Sequence, residues 1–166
     1  MIVYHGTTME ISQPKILRNE MGRDFGFAFY TTDIKEQAER WAIRRAKLLS
    51  KITQTKQTPI VNIYEWKQTD TLNIQTFTGA SLEWLDMVVL CRSQADYQHG
   101  YDVVIGKIAN DNVGETVSFV LQGIMRKEDA VERLKFEKIN NQIEIAFCSN
   151  NALKTLSFQN SYIVEN

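Results

Sequence analysis

The sequence predicts one α+β domain, and three observations carry that expectation. Its 166 residues are one domain's length and enough to bury a core without staples. The hydrophobic share of 43% and charged share of 23% are those of an ordinary soluble globular chain. Strand-like and helix-like stretches are mixed, yet helices do not separate every strand pair, which argues against a doubly wound sheet.

The elements follow in order. Ile2 to His5 reads as a short strand that breaks at Gly6. After an irregular stretch with Pro14, Gly22 and Asp24, the aromatic run Phe25 to Thr31 reads as a second strand. Asp33-Ile34-Lys35-Glu36 has the pattern of a capping box, with the Asp as cap and the Glu reaching back. Ile34, Ala38, Trp41, Ala42, Arg45 and Leu48/Leu49 then recur at helical spacing to about Ser50. Polar Lys51 to Pro59 reads as a protruding loop. Ile60 to Trp66 and Thr71 to Phe77 read as strands. Ala80 to Arg92 reads as a helix with Leu82, Leu85, Val88 and Val89 inward. Tyr101 to Ile108 is a β-branched strand, Asn112 and Glu115 cap a helix to about Leu121, and Lys127 to Lys135 is another helix. The chain closes on strand Gln142 to Phe147, short helix Asn150 to Thr155 and strand Leu156 to Val164. There is no internal repeat.

Several function classes lose support at once. A formal net charge of −1 gives no global pull toward nucleic acid or an anionic membrane. The basic face Arg40, Arg44, Arg45 and Lys47, with Lys51 and Lys56, reads as solvated rather than as a nucleic-acid contact. Cys91 and Cys148 sit in apolar runs and match no zinc spacing, so they read as buried thiols of a reducing compartment, with no metal. The first residues lack the basic start and apolar stretch of a signal peptide, and no run reaches the roughly 20 apolar residues of a membrane span. The expectation is a cytoplasmic protein.

Three pieces carry candidate chemistry. Tyr4-His5-Gly6-Thr7 ends a strand. The histidine is either a satisfied residue beside a turn glycine or a hydrogen-bonding group at the strand's mouth, where Gly6 lets a flat ligand approach bare backbone. In Asp24-Phe25-Gly26-Phe27-Ala28-Phe29-Tyr30-Thr31-Thr32, alternation puts Phe27, Phe29 and Thr31 on one face, with Ala28 and Tyr30 on the other. Tyr30 is either a core aromatic or a ring presented to a cleft. Asp-Phe-Gly has no kinase companions and is set aside. In Asn140-Asn141-Gln142-Ile143-Glu144-Ile145-Ala146-Phe147, the isoleucines and Phe147 take the core face, and Gln142 and Glu144 share the opposite one. Arg23 and Asp24 are either a solvent-facing pair or, through the cation, a pyrophosphate contact. Asn110-Asp111-Asn112 reads first as a cap, and His99 beside Gly100 as a turn residue.

Taken in order over nearly the whole chain, these pieces resemble ADP-ribosyltransferases of the His-Tyr-Glu class, the diphtheria-toxin and poly(ADP-ribose) polymerase branch. His5-Gly6-Thr7 is similar to the family's His-Gly-Ser/Thr. Gly26 to Tyr30 is similar to its Gly-x-x-x-Tyr strand leading into a helix, and Trp41 stands where the polymerase branch has a second aromatic. Asn141-Gln142 before a hydrophobic strand is similar to its Asn-Glu element. More narrowly, Asp-Phe-Gly-x-x-Phe-Tyr-Thr-Thr and Tyr101 to Asp111 resemble an uncharacterised bacterial family of the same clan, often found beside small partner genes.

The resemblance implies a split β-sheet with peripheral helices over residues 1–166, and NAD⁺ as co-substrate. His5 would bond the adenosine ribose, Gly6 the nicotinamide amide, and Tyr30 and Trp41 would sandwich the ring, as aromatic faces attract a planar cation. Two departures qualify this. The small hydroxyl residue expected eight after the tyrosine is Ala38, for which Thr31 or Thr32 would have to substitute. The catalytic glutamate is replaced by Gln142, which orients a ribose hydroxyl but brings no negative charge to an oxocarbenium-like transition state. Glu144, on the same strand face, is the second candidate, as in the Gln-x-Glu element of the other transferase branch. The implied activity is mono-ADP-ribosyl transfer to a macromolecular acceptor, a protein first of all, as by the toxin of a bacterial toxin–antitoxin pair with a small antitoxin partner. The alternatives are NAD⁺ hydrolysis and a non-catalytic nucleotide- or protein-binding module.

Overall fold

The structure is a computed structural model, and it describes residues 1–18, 23–107, 111–136 and 143–165. Its elements are β1 (Ile2–Thr7), β2 (Phe29–Thr31), α1 (Lys35–Thr53), β3 (Ile60–Trp66), β4 (Ile74–Thr76) and α2 (Leu82–Ser93). Then come β5 (Val103–Lys107), α3 (Asp111–Leu121), α4 (Lys127–Phe136), β6 (Ile143–Phe147), α5 (Asn150–Leu153) and β7 (Leu156–Ile163). The class is α+β, with two sheets. One has the order β1-β3-β7 and the other β2-β6-β5-β4. All pairings are antiparallel except β4 with β5. The sheets meet where Tyr4 and Thr32 exchange two backbone bonds, of 2.7 and 3.0 Å.

Each face of the second sheet is buried, for different reasons. Phe29, Ile145, Phe147 and Val103 turn toward Val3, Tyr64 and Trp66 of the first sheet and form a core between the two. Tyr30, Ala146 and Val104 turn the other way, into a core completed by α2, α3 and α4 through Trp84, Leu85, Val88, Val117 and Leu134. The alternation expected in β2 and β6 is present, but the face that holds Glu144 is enclosed rather than solvated. Helix α1 covers the first sheet with Ala38 and Ala42, packed with Val61 and Val164. Its Gln37 amide also donates to the Ile143 carbonyl of β6 at 2.8 Å, tying helix to strand.

The small residues on α1 are there because of β1. A Cβ on Gly6 would lie 2.0 Å from the Ala38 carbonyl oxygen and 2.8 Å from the Ala42 nitrogen. Gly6 is thus the point where helix backbone rests on strand backbone. The same contact disposes of Ala38 as a ligand group: it is wholly buried against the strand.

Several local expectations are corrected. The strand expected from Phe25 covers only Phe29–Thr31. Gly26 has φ +74° and its N–H bonds to the Arg23 carbonyl, so the chain turns there and drops Phe25 into the core. Asp33 does not cap α1: Ile34 is the cap residue without a side-chain bond, and its N–H is taken by Thr32 Oγ1 at 3.1 Å. The helix runs on to Thr53, into the stretch expected to be loop, and ends at left-handed Gln54 with φ +55°. Strand β4 is shorter than expected. Leu82 of α2 is 40% exposed, because Ser81 caps the helix and Trp84 takes the inward position. Helix α3 includes Asn112 within its span Asp111–Leu121. Asn110 lies outside the described residues.

Candidate functional site

The seam between the sheets opens into a cleft of about 700 Å³, within the size range of small-molecule sites. Of the residues singled out in the sequence, His5, Gly6, Thr7, Arg23, Asp24, Tyr30, Trp41 and Glu144 all line it. Thr31 does not: it is buried on the opposite face of β2, where its hydroxyl donates to the Ile145 carbonyl at 3.1 Å. Gln142 and its neighbours Asn140 and Asn141 lie outside the described residues.

His5 sits at the seam itself. Its Nδ1 is 2.7 Å from the Tyr30 carbonyl oxygen, and its ring stacks on Phe29 with centroids 4.4 Å apart. A carbonyl can only accept, so Nδ1 carries the proton. The bond joins β1 to β2 just where the sheets diverge.

Tyr30 is mostly enclosed. Its hydroxyl donates to the Gly26 carbonyl at 2.5 Å and accepts from the Phe25 N–H at 3.3 Å. Burial, and then the neighbouring Glu144, push its phenol well above the usual tyrosine value. One face of the ring is taken by Arg23, whose guanidinium carbon is 4.4 Å from the centroid. Trp41, half-buried on α1, lines the same cleft.

Behind Tyr30 lies a charged cluster. Asp24, 6% exposed, is held by Arg92 of α2, whose Nε donates to Oδ1 at 2.8 Å while the guanidinium Nη2 bonds the same oxygen. Glu144 is buried beside them. Loss of solvent, and then the Asp24 charge, push its carboxyl up to about 8, with Arg23 and Arg92 pulling the other way. Two carboxyls thus share one wall: Asp24 is held by the Arg92 guanidinium, while burial pushes the Glu144 carboxyl toward its protonated form.

Sequence reasoning missed Arg92 and the cationic rim. Among the described residues, Lys15, Arg23, Arg44, Arg45 and Arg92 line the cleft with two acids, Asp24 and Glu144. Arg44 and Arg45 were visible as part of the basic helix face, but helical spacing alone does not say that this face borders a cavity. Among the described residues no group of three or more His, Cys, Asp or Glu could hold a metal ion, and no helix is long and apolar enough to cross a membrane.

Residues 1–158 match the model of a family described as "Protein of unknown function (DUF3990)", and the chain belongs to that family. No curated protein matches the chain. No solved structure matches it either.

Proposed function

We propose that the cleft binds NAD⁺ and that the protein is a mono-ADP-ribosyltransferase with a macromolecular acceptor, most simply a protein. The observation that carries this reading is the convergence of His5, Tyr30, Trp41 and Glu144, from β1, β2, α1 and β6, on one cleft with a cationic rim. The rim suits a dinucleotide's pyrophosphate, since guanidinium groups bind phosphate through paired hydrogen bonds. The two aromatics suit the planar pyridinium. In this reading Glu144 is the acid group within reach of the nicotinamide ribose, and Gln142, two residues earlier in the sequence, is the positioning residue. Cleavage of the ring–ribose bond sends its electron pair onto nicotinamide, which leaves neutral. The acceptor's nucleophile then bonds the ribose carbon and gives up its proton.

A second reading has its own support. Arg23 covers Tyr30 and Glu144 is held toward its neutral form, as suits a module that binds a nucleotide without turning it over. Incubating the protein with labelled NAD⁺ and cell lysate separates the cases. Label on protein together with free nicotinamide supports transfer. Nicotinamide without label supports hydrolysis. Saturable NAD⁺ binding with neither product supports the binding module, and no binding at millimolar NAD⁺ removes all three.

A further inference from the structure

We propose that Asn62, in the middle of β3, is a positioning residue for the cleft: it holds the segment after β1 as one wall and so sets how tightly the dinucleotide is bound. The inference rests on the NAD⁺ reading for its ligand and adds a residue that neither motif nor strand pattern singles out. Residues 8–18 form no helix or strand, yet Thr8, Met9, Ile11, Gln13, Lys15 and Leu17 all line the cleft. Among the described residues, no backbone-to-backbone bond holds this stretch. An irregular segment of that kind keeps one shape only where side chains supply the missing partners.

Strand β3 supplies them. The Asn62 Oδ1 accepts from the Ile11 N–H at 2.8 Å, and its Nδ2 donates to the Met9 carbonyl at 3.0 Å. The Tyr64 hydroxyl donates to the Ile11 carbonyl at 2.5 Å. Asn62 and Tyr64 are both wholly buried, and the Ile11 side chain packs on the core between the sheets. The Asn62 amide thus pairs with the segment through one acceptor and one donor, as a neighbouring strand would. Its place in the sheet ties that wall to His5. The two residues lie opposite each other in the β1–β3 ladder, and opposed residues of an antiparallel pair present their side chains to the same face. Asparagine is poorly suited to a strand interior, and a buried amide is tolerated only when it is bonded. An aliphatic residue at 62 would extend the apolar surface of Val3 and Tyr64. Both bonds of the amide go instead to the wall that brings Lys15 to the cationic rim.

The test is calorimetric titration of ADP-ribose and NAD⁺ into the full chain, reading affinity and the fraction of binding-competent protein separately. Asn62→Leu keeps nearly the same volume, so native circular dichroism and wild-type stoichiometry are expected. Loss of both amide bonds is expected to weaken each ligand roughly 10-fold or more. Tyr64→Phe removes one bond, keeps the ring and is expected to weaken both ligands about 3-fold. Hydrogen exchange of ligand-free Asn62→Leu should quicken across residues 8–18 and stay unchanged in β1 and β3. A purely structural role would lower the stoichiometry and leave the affinity of the folded molecules at the wild-type value, and that result overturns the proposal. Should Asn62→Leu not fold, Tyr64→Phe decides: weaker binding at full stoichiometry supports the proposal, and wild-type affinity overturns it. If the wild type binds neither ADP-ribose nor NAD⁺, the NAD reading fails by itself. Exchange then decides the inference: quickening confined to residues 8–18 supports the wall, and exchange that is unchanged or quickened throughout the sheet overturns it.

Discussion

Replacing Gly6 with alanine separates the two roles open to that glycine, a bare backbone for a ligand and a seat for a helix. The new methyl would stand 2.0 Å from the Ala38 carbonyl oxygen and 2.8 Å from the Ala42 nitrogen. Both are backbone atoms in the first half of a 19-residue helix, so no rotamer relieves the clash. To restore an ordinary contact of 3.4 Å, α1 must retreat by about 1.4 Å, and dispersion contacts along Ala38, Ala42 and Val61 fall away with it. Overpacking of this kind costs about 1–3 kcal/mol, and rigid backbone on both sides puts Gly6→Ala at the upper end, near 3 kcal/mol. For a domain of this size that is a fall in Tm of roughly 6–12 °C. The assay is urea or thermal unfolding followed by circular dichroism. The retreat also carries Trp41 away from His5, so a variant that stays folded should lose NAD⁺ affinity. Stability within about 0.5 kcal/mol of wild type would refute the close approach and return Gly6 to a ligand-only role.

Glu144 makes stability depend on pH. Its folded carboxyl is raised from 4.5 to about 8, so the folded state holds a proton that the unfolded chain releases above the lower value. Its contribution is most favourable below pH 4.5 and is lost as pH rises through 8. Glu144→Gln should therefore gain on wild type by a few kcal/mol between those limits, and a difference in unfolding free energy that is flat from pH 5 to 9 would contradict its burial. His99 acts in the opposite sense. Its Nδ1 accepts from the Tyr101 N–H at 3.1 Å and its Nε2 bonds the Phe25 carbonyl at 3.2 Å, so burial lowers its affinity for a second proton. Stability from this group is present above the free value of 6.5 and declines as pH falls below it; His99→Gln should flatten the acid side of the profile. In Gly106→Ala the new methyl would meet Phe25 Cζ at 2.7 Å, a ring that can tilt, so the expected loss is about 1–2 kcal/mol by denaturant unfolding. A loss as large as that of Gly6→Ala would mean the Phe25 ring is fixed.

What the sequence made legible and what it hid have physical reasons. Period-2 alternation set Tyr30 against Phe29 and Thr31 in β2, and Glu144 against Ile143 and Ile145 in β6, because strand parity is local. It left open whether the face of Tyr30 and Glu144 is enclosed, because enclosure is not local: α2, α3 and α4 arrive from the middle of the chain to cover it. The capping pattern at Asp33 failed because the helix starts one residue later, with Ile34 as its cap residue and no side-chain cap bond. Phe25 looked like strand because its neighbours are aromatic, but the positive φ of Gly26 ends the extension. Arg92 stayed invisible, since it lies 68 residues from the Asp24 that it holds.

The placement of Glu144 is the strongest argument that this cleft exists for chemistry rather than by accident of packing. Strand β6 carries Ile145, Ala146 and Phe147, all buried, and an aliphatic side chain at 144 would extend the same wall without desolvating an acid. Burying an ionisable carboxyl costs several kcal/mol unless it is paired. Here Arg92 is bonded to Asp24 and Arg23 is stacked on Tyr30. Both pull the Glu144 carboxyl down, but burial and the Asp24 charge outweigh them and push it up to about 8. The opposite strand supports that arrangement. Gly106 faces Glu144 across the β5–β6 ladder, and its missing side chain admits the Phe25 ring, which lies over that part of the strand. A fold selected only for stability removes such a charge at one substitution. A fold that keeps it, lines a cleft with it and sets two arginines near it retains a group whose proton state a ligand can change, and groups of that kind gather at functional sites.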